Sequence, residues 1–220
     1  DNIAANLIAV TYVENSQLKA VAGYVSGGVI TFYTPASAGS NYANVSEVRT
    51  CLTHTSWGRR VGVCVRNSGY AKATNYEVGQ SAPYNIQWQG GGDLTGTTNS
   101  GNPCICDANQ TNQVFVGWLD NTTGQIKCRG MKINGSSVSF TNTLTAVNNA
   151  RQPSLSSALG GTQARMLLTY TVGGNLKART IDAVSSGTPS AGSEKALYNG
   201  SVGESSGAMM NLVRSESAKY

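Results

Sequence analysis

The chain has 220 residues, of which 40% are hydrophobic and 12% charged, against about 25% charged in an ordinary globular domain. That is enough apolar material for one large all-β domain or two small ones, and too much for a disordered chain. Eleven carboxylates and a single histidine, His54, exclude a histidine-rich metal site, and a net charge of +5 on scattered Lys and Arg offers no basic stripe for nucleic acid.

In chain order, the sequence opens at Asp1 without an initiator Met or an apolar leader and reads as processed or trimmed. Residues 8–20 (IAVTYVENSQLKA) form a first strand, an Asn-Ser turn and the start of a second strand. A turn at 26–28 and a third strand at 29–33 follow, and 48–53 supplies a strand before the next unit. The hairpin returns at 61–73 (VGVCVRNSGYAKA), 114–128 (VFVGWLDNTTGQIKC) and 166–178 (MLLTYTVGGNLKA), with strands expected ahead of the later copies at 103–106 and 154–158. Val10, Val63, Val116 and Leu168 are spaced 53, 53 and 52 residues apart, and each copy carries a lysine (Lys19, Lys72, Lys127, Lys177) followed by a small residue. No segment has a helical period, and 26 Gly with 20 Asn would penalise one.

Short strands repeated every ~53 residues predict an all-β, β-propeller-like fold of four blades, or five, each of four short antiparallel strands. The units are approximately 7–46, 47–100, 101–150 and 151–206, with 207–220 either closing the ring against the first unit or starting a further one. A sandwich or a β-solenoid is the competing architecture. The small residue after each lysine is expected where neighbouring sheets approach closely, and the lysines are expected at solvated strand ends. Cys51, Cys64, Cys104, Cys106 and Cys128 read as packed thiols, with a single disulfide left open. No apolar run reaches the ~20 residues of a membrane-spanning helix.

Residues 20–35 (AVAGYVSGGVITFYTP) resemble the tandem repeats of bacteriophage tail-fibre and related virion attachment proteins, in which a Val-Ser-Gly turn leads into an Ile-Thr-Phe strand. Residues 131–143 restate the pattern loosely, while the second and fourth units depart from it. The resemblance implies a virion-associated or extracellular binding or structural element, and it brings no catalytic residues.

Glu14, Glu47, Asp107 and Asp120 give no position that carries an acid in every unit, the S-x-D-x-G-x-x-W repeat of sialidases is absent, and no enzymatic activity is expected. Sugar binding needs only an aromatic platform and a few hydrogen-bonding groups. Trp57, beside His54 and Arg59 in a stretch that reads as a loop, is the leading candidate; Trp88 and Tyr84 are further candidates, and Trp118 is expected to pack between blades. The glycine-rich segment 90–101 reads as a flexible linker, and five N-x-[ST] sequons, Asn121 included, match chance. The expected role is a non-enzymatic module contacting glycans or a cell-surface receptor through loops on one face; a structural or decoration protein bound to other virion or assembly proteins is the alternative. Self-association is left open, and no nucleic acid, membrane span, metal or cofactor is expected.

Overall fold

In the computed structural model, residues 6–96, 99–157 and 165–200 are described, without the side chains of His54 and Asn109. The region 207–220, and with it the expected ring closure or further unit, lies outside the described residues.

Tight turns set the strand register. Asn15–Ser16 (φ 50° and 62°), Ser68–Gly69 (48° and 86°) and Gly173–Gly174 (56° and 81°) each put two left-handed residues between paired strands, the turn geometry that matches strand twist. The result is four antiparallel sheets in chain order, with a 3-10 turn, Ser40–Tyr42, between the first two. The first sheet holds β1 (Leu7–Glu14), β2 (Gln17–Ser26), β3 (Val29–Phe32) and the two-residue β4 (Ala36–Ser37). The second holds β5 (Val45–Thr55), β6 (Gly58–Asn67), β7 (Tyr70–Val78) and β8 (Ile86–Asp93). The third runs through β9 (Ser100–Gln110), β10 (Gln113–Asp120) and β11 (Gln125–Asn134), with β12 (Ser137–Phe140) and β13 (Leu144–Val147) sharing the far side of β11. In the fourth, β14 (Arg151–Ser157), β15 (Arg165–Val172) and β16 (Asn175–Asp182) are followed by β17 (Ser190–Ala191) and β18 (Lys195–Tyr198) along β16.

The four matched apolar residues lie on β1, β6, β10 and β15, and the four lysines on β2, β7, β11 and β16. The strand that precedes this hairpin is present as β5, β9 and β14; β1 pairs only with β2 among the described residues.

The core is divided among the three seams between successive sheets. Leu18, Ala20 and Ala22 meet Val61, Val63 and Tyr76 in the first seam; Cys64 and Ala73 meet Val114, Val116 and Trp118 in the second; Phe115, Ile126 and Cys128 meet Met166, Leu168 and Ile181 in the third. Central strands are therefore covered on both faces, and β10 is buried at every residue. Ala20, Ala73 and Cys128, each following its lysine, sit in these seams, where only a small side chain leaves room for the next sheet. Trp118 packs between sheets as expected. Phe115→Ala is expected to cost about 3–5 kcal/mol of stability, read as a lower urea midpoint, because the cavity would open inside a seam that cannot collapse.

All five cysteines are free thiols. Burial pushes Cys64 and Cys106 up to about 12 and raises the other three as well. Native protein at pH 8 should therefore leave Ellman's reagent nearly unreacted, whereas denatured protein should release five equivalents; rapid native reaction of several thiols would contradict this packing.

The segment 90–101 is not a linker along its first part. Gly90, Gly91 and Gly92 belong to β8, where the third sheet, the Tyr42 side chain and the neighbouring strand β7 come too close for a side chain. A Cβ on Gly90 would lie 2.7 Å from the Ser136 carbonyl oxygen, one on Gly92 would lie 2.9 Å from the Phe140 ring, and one on Gly91 would overlap the Tyr42 hydroxyl and the Ala73 carbonyl oxygen.

Candidate functional site

The aromatic candidates fall in two places. Ser56 and Trp57 form the two-residue turn between β5 and β6, fixed by Trp57 N–H donating to Thr55 Oγ1 at 3.1 Å and by Ser56 N–H donating to Asn112 Oδ1 of the third sheet at 2.6 Å. His54 stands opposite Arg59 in the register of the same hairpin, so these three predicted residues do converge. Trp57 is 44% exposed, on a hairpin tip and not in a loop. Arg59 lines a mainly apolar cavity of about 160 Å³ with Leu7, Ile8, Cys51, Leu52 and Val61, in the seam between the first two sheets.

Trp88, 37% exposed on β8, and the buried Tyr84 stand apart from that hairpin tip. Trp88 Nε1 donates to Thr74 Oγ1 at 2.7 Å, and its ring lies against Gly39 and edge-on to Tyr42. Tyr84 is buried, stacked on Tyr24 at 5.5 Å with the edge of Tyr33 at 5.8 Å. In Tyr84 a face that would stack on a sugar is already covered by the Tyr24 ring.

The repeated lysines are partly buried and ion-paired within their own sheets, which differs from the expectation of solvated strand ends. Lys19 pairs with Glu14, Lys72 with Asp93 at 3.3 Å, Lys127 with Asp120 at 2.7 Å and Lys177 with Glu194 at 2.6 Å. At Asp120 burial acts to raise the carboxyl, but hydrogen bonds from Lys127, Thr123 and Thr122 outweigh it and hold the group below its ordinary 3.8. Glu194 is held below its ordinary 4.5, chiefly by the hydrogen bonds from Lys177 and Tyr170. Carboxylates lowered in the folded state stabilise it above their unfolded values, and that contribution is lost as the pH falls through the folded ones. Melting temperature should therefore drop between about pH 5 and pH 3, less steeply in Asp120→Asn than in the unchanged chain.

A second concave site lies at the other end of the strands, in the seam between the third and fourth sheets. Its position follows from a backbone clasp repeated at each junction. Asn44, Asn99 and Asn149 are left-handed (φ 64°, 81° and 53°), and the residue after each donates its N–H to a hairpin turn of the preceding sheet: Val45 to Ser16 at 2.8 Å, Ser100 to Gly69 at 2.8 Å, Ala150 to Gly124 at 3.0 Å. The first two asparagines also accept at their carbonyls from the next turn, Ser68 N–H at 3.1 Å and Asn121 N–H at 3.0 Å. A few residues further on, the pairing of β9 slips around Asn102 and that of β14 around Gln152, both at positive φ. These slips and the turn of β10 and β11 leave a cleft of about 440 Å³ bordered by Asn102, Asn121, Asn149, Arg151, Gln152 and Thr171.

The lining is polar and largely uncommitted. Thr171 Oγ1 donates to the Arg151 carbonyl at 3.3 Å and Asn102 N–H donates to Glu47 Oε2 at 2.9 Å, so the backbone around the cleft is fixed. The side-chain amides of Asn102, Asn121 and Asn149 and the Arg151 guanidinium make no hydrogen bond or ion pair among the described residues, and all four side chains are exposed. Three carboxamides supply donors and acceptors together, and the guanidinium supplies five donors. Among the described residues no three His, Cys, Asp or Glu side chains gather as a metal site would require. None of these cleft residues stands out in the sequence, where only Asn121 is named, as part of a chance sequon.

No protein-family model and no curated protein matches the chain. Among solved structures, the Hadza microbial sialidase Hz136 is similar at a TM-score of 0.40 and 9% identity, over 78% of this chain and 42% of that one. This chain thus spans less than half of that protein's length.

Proposed function

We propose that the chain is a non-enzymatic binding module of β-propeller-like build, with the four sheets as blades, and that it engages glycans at the cleft between the third and fourth sheets. The observation that carries this reading is the set of uncommitted side chains there: hydroxyl-rich ligands are bound by fixed amides and guanidinium groups, and three exposed carboxamides with one guanidinium border a single concavity. Against hydrolysis stands the state of the acids, since Glu14, Glu47, Glu77, Asp93, Asp120, Asp182 and Glu194 are each engaged in an ion pair. A place on a virion or another extracellular surface belongs to the same proposal and rests on the tail-fibre-like repeat at residues 20–35.

A glycan array read with the unchanged chain and with Asn121→Ala/Asn149→Gly, which keeps the left-handed backbone at 149 free of strain, tests the site. Saccharide binding that weakens at least about tenfold in the double variant is expected, as loss of two or more hydrogen bonds implies. Trp57→Ala, at the opposite strand ends, should change neither affinity nor, beyond about 0.5 kcal/mol, stability. Binding that disappears with Trp57 and survives the double variant would move the site to the β5–β6 hairpin.

A structural or assembly role is favoured by a different feature. β3 is exposed at every residue, with Val29 65% and Phe32 51% accessible, and as an edge strand it offers unpaired backbone groups to a partner chain. Sedimentation of the purified chain as a monomer at all concentrations would count against self-assembly through it.

A further inference from the structure

We infer that the saccharide bound in this cleft carries a carboxylate, held by the guanidinium of Arg151; the inference deepens the binding role proposed above and rests on it. The cleft lining contains one full positive charge and no negative one. Arg151 is exposed and has no ion-pair partner among the described residues, while the carboxylates next to cleft-lining residues are engaged elsewhere. Asp120, beside Asn121, holds Lys127 at 2.7 Å, and Glu47, which accepts from the Asn102 N–H, holds Arg66 at 3.4 Å. The field at the cleft is therefore that of an uncompensated arginine.

The neutral part of the lining points the same way. No aromatic ring borders the cleft, so a pyranose has no face to stack on, and affinity has to come from hydrogen bonds and charge. A guanidinium presents two parallel N–H donors at the spacing of carboxylate oxygens, a match that a lysine or an amide does not reproduce. Asn121 and Asn149 border the same cleft and are suited to the hydroxyls of the sugar.

Affinities for uronic- and nonulosonic-acid-terminated oligosaccharides, each paired with its neutral counterpart, test the inference on the unchanged chain, Arg151→Gln and Arg151→Lys. Carboxylated members should bind about 10- to 100-fold more tightly than their counterparts, as a charge-assisted bidentate pair implies. Arg151→Gln should abolish that preference, Arg151→Lys should keep only part of it, and added salt should weaken it. Because Arg151 is exposed, both variants should melt with the unchanged chain, which separates loss of binding from loss of fold. Equal affinity for neutral members, or a preference that survives in Arg151→Gln, overturns the carboxylate assignment and leaves the glycan-binding role standing. Binding to no member of the panel overturns both.

Discussion

Gly91→Ala is expected to destabilise the protein by at least about 3 kcal/mol, the upper range for forcing an extra carbon into a packed core. The added Cβ would fall on the Ala73 carbonyl oxygen and on the Tyr42 hydroxyl, which itself donates to that carbonyl at 2.9 Å. The carbonyl belongs to β7, locked between β6 and β8, so the clash cannot be relieved by rotating a side chain. Gly96→Ala is the matched control, since nothing lies within 4 Å of its Cβ position; it should stay within about 0.5 kcal/mol of the unchanged chain. Equal urea midpoints for the two variants would mean that Gly91 is not packed against β7 and Tyr42 as described.

The triple variant Asn44→Val/Asn99→Val/Asn149→Val should lose roughly 3–6 kcal/mol, about 1–2 kcal/mol for each β-branched residue forced into the left-handed region. The corresponding triple glycine variant should be close to neutral, because glycine adopts these angles freely. The contrast isolates backbone conformation from side-chain contacts. It also bears on function: Asn149 and Ala150 fasten the fourth sheet to the β10–β11 turn, so Asn149→Val should loosen the cleft as well as the seam. If valine and glycine variants melt together, the left-handed clasp is not what joins the sheets.

The hairpins were legible because their chemistry is local. Asn15–Ser16 and Gly173–Gly174 predict turns from the residues themselves, and the 53-residue spacing places each on the same strand of its sheet. The glycine run at 90–92 was misleading for a physical reason: glycine is required both where the chain must move freely and where two backbones meet, and only the neighbours distinguish these cases. The lysine partners were hidden because no fixed offset connects them. Glu14 and Asp120 precede their lysines, while Asp93 and Glu194 follow theirs from the outer strands or the connections beside them.

Most of the candidate site was illegible. Trp57, His54 and Arg59 were found as neighbours because they are neighbours in sequence. Asn102, Asn121, Asn149 and Arg151 come together only through strand slips and the contact of two sheets, and residue type alone gives Arg151 no distinction from the chain's other arginines. The repeated left-handed Asn ahead of β5, β9 and β14 is the one signal that could have pointed to this end of the strands, and it is visible only once the units are aligned.

The most direct test of a binding cleft between the third and fourth sheets is a titration of the ¹⁵N-labelled chain with the tightest-binding saccharide from the array, followed by amide chemical shifts. Perturbations concentrated at Asn102, Asn121, Asn149 to Gln152 and Thr171, with the β5–β6 hairpin silent, are the predicted result. Shifts centred on Ser56, Trp57 and Arg59, with the cleft unchanged, would contradict it.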